Sequence, residues 1–261
     1  MIKLFRNIRK KLLEQGKLTN YLKYAIGEIF LVVIGILIAL QINNWNQTQA
    51  ERKVEKEYIT SLLEDIATDT TNIQLAIKNN EIRIKYLDSL ASMCFNYRPE
   101  DMNDPKLYEL YNRTIRHPDF VTPTERTLTQ LKNAGGMRLL KNKKSVNAII
   151  EYEDYFKKLI NQQVWYESML SSLVEAGIPN FNYKFFPKTK EGYNQPFFKT
   201  AKIISEDKKS IIELGNRATV YSNVTRFYLI LLLQGKQKAI DVMQVLEENY
   251  SINNRQINEQ R

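Results

Sequence analysis

Cysteine and histidine are almost missing from this chain. A single cysteine, Cys94, excludes an intrachain disulfide framework and a Cys-rich zinc site. A single histidine, His117, leaves no imidazole pair for a metalloenzyme or a two-His iron centre. Glycine and proline are scarce, 9 and 7 in 261 residues, which excludes a collagen-like or low-complexity chain. With 43% hydrophobic residues the chain can build a core, which argues against wholesale disorder. No useful strand alternation and no fixed-period repeat occurs. Gly-rich phosphate loops, nucleophile elbows, HExxH and CxxC are missing too.

What is present begins with charge. The net charge is +9, and its distribution decides its meaning. Residues 1–45 carry seven basic side chains (Lys3, Arg6, Arg9, Lys10, Lys11, Lys17, Lys23) against Glu14 and Glu28. Residues 46–261 hold 31 basic and 27 acidic side chains, near neutrality for their length. A basic tail beside an apolar segment is a topology signal rather than a grip on nucleic acid.

That apolar segment is the strongest feature. Ile29–Leu40 has twelve residues without a polar group, and Ala25–Ile42 extends it with Glu28 and Gln41 as interruptions. Tyr21 and Tyr24 precede it and Trp45 follows it, as interface aromatics do. At a helical rise of ~1.5 Å, Tyr24 to Trp45 spans roughly 31 Å, about one hydrocarbon core. A cleaved signal peptide would need a small-x-small site close behind; Gln41-Ile42-Asn43-Asn44-Trp45 offers none, and Thr48-Gln49-Ala50 lies too far downstream. An uncleaved signal-anchor is therefore expected. Seven basic residues before the span, and only Arg52, Lys53 and Lys56 shortly after it, put the N-terminus in the cytoplasm. The expected location is the inner membrane, single-pass, with an extracytoplasmic body that meets no nucleic acid.

Three segments follow: 1–23, a basic cytoplasmic tail; 24–45, the transmembrane helix; 46–261, an extracytoplasmic helical domain. In the tail, Phe5, Ile8 and Leu12 share one helical face, which fits either a short helix on the inner leaflet or a charged, frayed tail.

The opening Met1–Arg9, then Lys23–Ile29 (KYAIGEI), then VVIGILIALQINNWN through Asn46 resemble an uncharacterised family. Its members are membrane-anchored proteins of unknown function from Bacteroidota. Thr127–Leu140 (TLTQLKNAGGMRLL) and the Tyr-rich segment after it are similar to the body of that family. The resemblance implies one span and a helical extracytoplasmic region. It supplies no activity, ligand or catalytic residue.

Beyond the span, apolar positions at Ile59, Leu62, Leu63, Ile66, Ile73, Ile77, Ile84, Leu87 and Ala91 recur at spacings of 3 and 4. They predict one long amphipathic helix over 49–96, interrupted on its apolar face by Thr70 and Asn80. Asp104-Pro105 reads as N-cap and first residue of a short helix ending near His117-Pro118. Thr122-Pro123-Thr124-Glu125 reads as a capping box opening another, which Gly135-Gly136 closes. A long helix over 143–176 ends at Gly177 and Pro179, and helical spacing resumes after Ser205 as N-cap. Phe227–Leu233, seven apolar residues, is too short to span and reads as bundle core. The fold class is all-α: a transmembrane helix followed by an elongated extracytoplasmic helical bundle.

Candidate functional residues are few. Gly27, Gly35 and Ala39 share a face of the span, which favours close helix approach and self-association. Glu28 is an ionisable group inside the span, close enough to Tyr24 to reach the cytoplasmic interface. Glu64, Asp65 and Asp69, like Glu151, Glu153 and Asp154, are expected on solvated faces, since a bundle di-metal site would also need Glu-x-x-His. Cys94 is expected in the core and His117 at a helix end. The aromatic-rich loop 178–204 carries Phe181, Tyr183, Phe185, Phe186, Tyr193, Phe197 and Phe198, interleaved with Lys184, Lys188 and Lys190. These rings either form a contact surface or fold back to plug the bundle. No cofactor or catalytic set is expected. Membrane lipid, a second copy of the span and an envelope protein are the expected partners. A binding or scaffolding module is the first reading, with an envelope sensor and a carboxylate-based enzyme as alternatives.

Overall fold

A computed structural model describes residues 18–116, 119–183, 203–205 and 207–252. Five α-helices account for nearly all of them: α1 (Leu18–Phe95), α2 (Pro105–Thr114), α3 (Arg126–Asn133), α4 (Lys143–Gly177) and α5 (Lys208–Tyr250). Two short 3-10 turns, Pro99–Asn103 and Gly136–Arg138, complete the order. No strand forms among the described residues; Phe181 and Ile203 make one isolated antiparallel bridge. The all-α expectation holds.

The chain divides into two units, Met1–Glu57 and Tyr58–Arg261. In the first, the described part is helix with its apolar side chains uncovered. In the second, the remainder of α1 joins α2–α5 around a core.

Helix α1 is 78 residues long, with no interruption between the apolar run and the amphipathic stretch expected over 49–96. Between Gly35 and Pro99 the sequence holds neither glycine nor proline, so nothing in it breaks the hydrogen-bond ladder. Pro99 ends that freedom: Arg98 before it is extended (φ −123°, ψ 153°), as a pre-proline residue must be. Asp104 caps α2 by accepting from the Lys106 N–H at 2.9 Å, with Pro105 in the first turn. Gly135 sits at φ +65°, which glycine adopts without strain, and turns the chain after α3.

In the body, α5 runs antiparallel to both α1 and α4. Asn249 pairs with Ser145, Lys238 with Glu151, Tyr155 Oη with Leu231 O and Arg217 with Ser172, in reversed order along α4 and α5. Asp88 of α1 accepts from Ser222 and Arg226, and Gln74 from Lys236, again in reversed order. Two apolar clusters fill the interior. One gathers Ile59–Ile77 of α1, Leu128 and Leu131 of α3, and the 149–166 and 224–246 stretches of α4 and α5. The other gathers Leu87–Tyr97, α2, Leu173, Phe181, Ile203 and the first turns of α5. Along α1 and α5 buried polar residues sit where one cluster gives way to the other: Asn80 and Arg83 on α1, Ser222 on α5.

Three local expectations are corrected. Helix α3 starts at Arg126, not at the Thr122 capping box, because α1 supplies its cap. Helix α5 is capped by Asp207, which accepts from Lys209 N–H at 2.9 Å; the Ser205 hydroxyl instead accepts from Asp207 N–H at 3.1 Å. Phe227–Leu233 is core only on one stripe: Tyr228 and Leu232 are buried, whereas Phe227, Ile230 and Leu233 are half exposed. A helix turns each residue by about 100°, so seven consecutive apolar residues cannot all face one core.

Candidate functional site

On the apolar run of α1, a Cβ added to Gly27 or Gly35 would meet no atom within 4 Å. Ala39 is exposed, as are Trp45 and the apolar side chains of Ile29–Leu40. Glu28 is half buried and has an interaction partner. Tyr21 and Tyr24 lie in helix; their side chains fall outside the described residues, as do His117, Phe185, Phe186, Tyr193, Phe197 and Phe198.

The described start of the aromatic loop goes inward. Phe181 is buried, stacked on Tyr111 (centroids 4.4 Å, 20° between planes) and edge-on to Tyr108 at 5.7 Å. Asn180 and Ile204 close the loop ends, with Ile204 N–H donating to Asn180 O at 2.9 Å. Phe181 is therefore a core residue and not part of a contact surface. Tyr183 keeps one exposed edge, and its hydroxyl meets the Tyr111 hydroxyl and donates to Val174 O at 3.2 Å. Burial raises the pKa of both phenols, and for Tyr111 the bond to Tyr183 adds to it.

The expected solvated face of Glu64, Asp65 and Asp69 is corrected for two of the three. Glu64 is exposed, but Asp65 and Asp69 are buried. Asp69 Oδ1 accepts from Thr124 N–H (2.8 Å) and Thr124 Oγ1 (2.7 Å), and its Oδ2 from Tyr152 Oη (2.7 Å). Asp65 accepts from Thr127 N–H at 3.0 Å and from Arg126 Nη2 at 2.7 Å. Two carboxylates of α1 thus satisfy backbone donors at the start of α3, where negative charge also suits the helix dipole. Desolvation nevertheless raises the Asp69 pKa above its ordinary value, against the lowering hydrogen bonds of Tyr152 and Thr124, with the charge of Asp65 adding to the rise. The second acidic group does face solvent at Glu151 and Asp154, whereas Glu153 is partly covered and bridges Lys132 and Lys157.

Arg83 does the converse at the other end of the same connection. Its Nη1 donates to Thr114 O (3.1 Å) and Arg116 O (2.8 Å), carbonyls at the C-terminus of α2. Its Nη2 lies 3.6 Å from Asp119, which also accepts from Asn79 at 3.1 Å, while Asn80 donates to Asp119 O at 3.2 Å. Around these groups lies a cleft of about 370 Å³. Asn79, Ile82, Arg83 and Tyr86, at i, i+3, i+4 and i+7, form one wall from α1. Arg113, Arg116 and Asp119 form the other. Arg113 lies over the Tyr86 ring at 5.3 Å, donates to Tyr86 Oη at 3.2 Å, and holds Glu109 through Nε and Nη2 (2.9 and 2.7 Å). Those bonds raise its pKa, the contact with Glu109 first.

None of the cleft arginines was singled out by the sequence patterns. The signal for the buried polar groups was present, however: the 3-and-4 spacing through Leu62, Ile66, Ile73 and Ala76 passes through Asp69 and Asn80. A polar residue on an inward stripe marks a place where another segment must bring a hydrogen-bond partner.

A family model described as a family of unknown function (DUF6090) matches residues 28–182. No curated protein and no solved structure matches the chain.

Proposed function

We propose that this chain, which belongs to the family of unknown function DUF6090, is a single-pass, membrane-anchored binding or scaffolding module of the cell envelope. The observation that carries the reading is the uncovered apolar run of α1. Ile29, Phe30 and Leu31 are 65–69% exposed, whereas apolar side chains of the body such as Ile59 and Leu87 are fully buried. Apolar side chains in such a row need a non-aqueous environment, and hydrocarbon of matching thickness supplies it. Seven basic residues ahead of the run favour an N-terminus in the cytoplasm and a body outside the inner membrane. In this reading the body works by binding: its polar cleft and half-exposed apolar stripes take a ligand or another envelope protein, and the span associates with lipid and with its own copies.

Protease added to intact spheroplasts tests the topology. The body should be digested and a small N-terminal fragment spared. Full protection of the body while the spheroplasts stay intact would overturn the orientation.

A further inference from the structure

We infer that the outward stripe of α5 docks on the same stripe of a second copy of this chain, as a short parallel pair of helices. The inference rests on the binding-module reading and deepens it by naming the partner.

The buried side chains of α5, among them Tyr228, Leu232, Ala239, Val242 and Leu246, define its inner face. At about 100° per residue, Ile230, Leu233 and Ile240 point the opposite way. Each is 41–51% exposed, and none packs against either apolar cluster of the body. A helix that only covers its own core carries polar residues on that side.

Spacing names the occupant. From Ile230 the stripe runs through Leu233, Gln237 and Ile240, in steps of 3, 4 and 3. Those are the a and d positions of a coiled-coil seam, with Ile230 and Gln237 at a, Leu233 and Ile240 at d. Isoleucine at a with leucine at d favours two strands, and a polar residue at one a position fixes their register. On a second copy the same seam is self-complementary, since each layer meets its own kind. Polar side chains bound it at both ends, Arg226 paired with Asp88 and Gln244 bonded to Glu248.

Flanking charge sets the direction. Lys236 stands at g and Asp241 at e, five positions on. In a parallel pair a g residue faces that e residue of the other helix, so Lys236 of each copy meets Asp241 of the other. In an antiparallel pair with Ile230 layered on Ile240, g faces g and Lys236 meets Lys236. Within its own chain Lys236 donates to the neutral amide of Gln74 at 2.5 Å, and Asp241 accepts from that of Gln237 at 2.8 Å. An ammonium has three N–H groups and a carboxylate two oxygens, so the contact between copies displaces neither bond. A seam this short holds two dissolved chains weakly, and anchorage of both in one membrane raises their effective concentration.

Disulfide trapping of the full-length chain in its own membranes tests the docking. Cys94 is buried, so the wild-type chain serves as the blank. Gln237→Cys should trap a dimer at least about fivefold better than Glu167→Cys, an exposed position on α4. Adding Leu233→Glu should cut that yield about tenfold, because like charges then meet in a d layer. Leu233 is a surface residue, so an unchanged melting curve should accompany the loss. In the Gln237→Cys chain, Lys236→Glu or Asp241→Lys alone should lower the yield about threefold, and the two together should restore it. A yield no higher at 237 than at 167, or one indifferent to Leu233→Glu, would overturn the docking. A double exchange that stays as low as either single one would overturn the parallel pairing. An adduct whose mass is not twice the chain's would put another envelope protein on the stripe and sink the proposal as well. Sonicated membranes admit the oxidant from both sides, so failure here leaves the topology read by spheroplast digestion untouched.

Discussion

Phe181 shows what a single ring contributes at the end of the bundle. It lies between Tyr111 and Tyr108 with 1% of its surface exposed. Packing there leaves no slack: a Cβ at Gly177 would fall 2.0 Å from Tyr111 Oη, so only glycine lets that phenol approach the last turn of α4. Phe181→Ala should therefore cost ~3–5 kcal/mol, because surroundings this tight cannot collapse into the space left behind. Chemical denaturation of the full-length chain would measure it; a loss well under 1 kcal/mol would show that the ring does not hold the fold. Cys94 follows the same logic without any chemistry of its own. It is fully buried against α5, and burial pushes its thiol up to about 12, far from the thiolate a reactive cysteine needs.

At the scale of elements, α1 anchors both ends of the connection from α2 to α3. Arg83 covers the carbonyl end of α2, and Asp65 and Asp69 cover the amide end of α3. Charge sign matches helix polarity at each end. The segment between is held by Asn79 and Asn80 through Asp119, and by Gln163 and Tyr228 around Val121. This arrangement has a pH signature. Asp69 binds its proton more tightly folded than unfolded, so the folded state holds more protons between its ordinary value of 3.8 and its raised native value. Its charged form thus carries a cost at neutral pH that is relieved as pH falls through that window. The stability of the wild-type chain relative to Asp69→Asn should accordingly rise on acidification, read from paired melting curves. A difference that is flat, or that shrinks towards acid, would contradict the raised pKa.

For the whole molecule, the uncovered apolar face of α1 bears on assembly. Gly35 and Ala39 are four residues apart and the Gly35 face is open, a spacing that lets two helix backbones come close. Replacing both with Leu should lower dimer yield in a membrane reporter of span association, since the added bulk holds the backbones apart. If the native span gives no dimer signal in that reporter, association through this face is excluded.

The all-α class, the long helix after the apolar run, the Asp104 cap and the span of α4 to within a residue were legible in the chain alone. Each depends on local quantities: spacing of apolar residues, a capping side chain, a proline or glycine at an end. The start of α3 was misplaced by about one turn, because its caps come from side chains more than fifty residues earlier. The same distance hid the burial of Asp65 and Asp69, which are surface groups by residue type and interior groups by partnership. The cleft was hidden more deeply still, since Tyr86 and Arg113 meet only when α2 folds back on α1. Periodicity says which face of a helix is buried. Which charges end up facing each other is decided by how the helices cross.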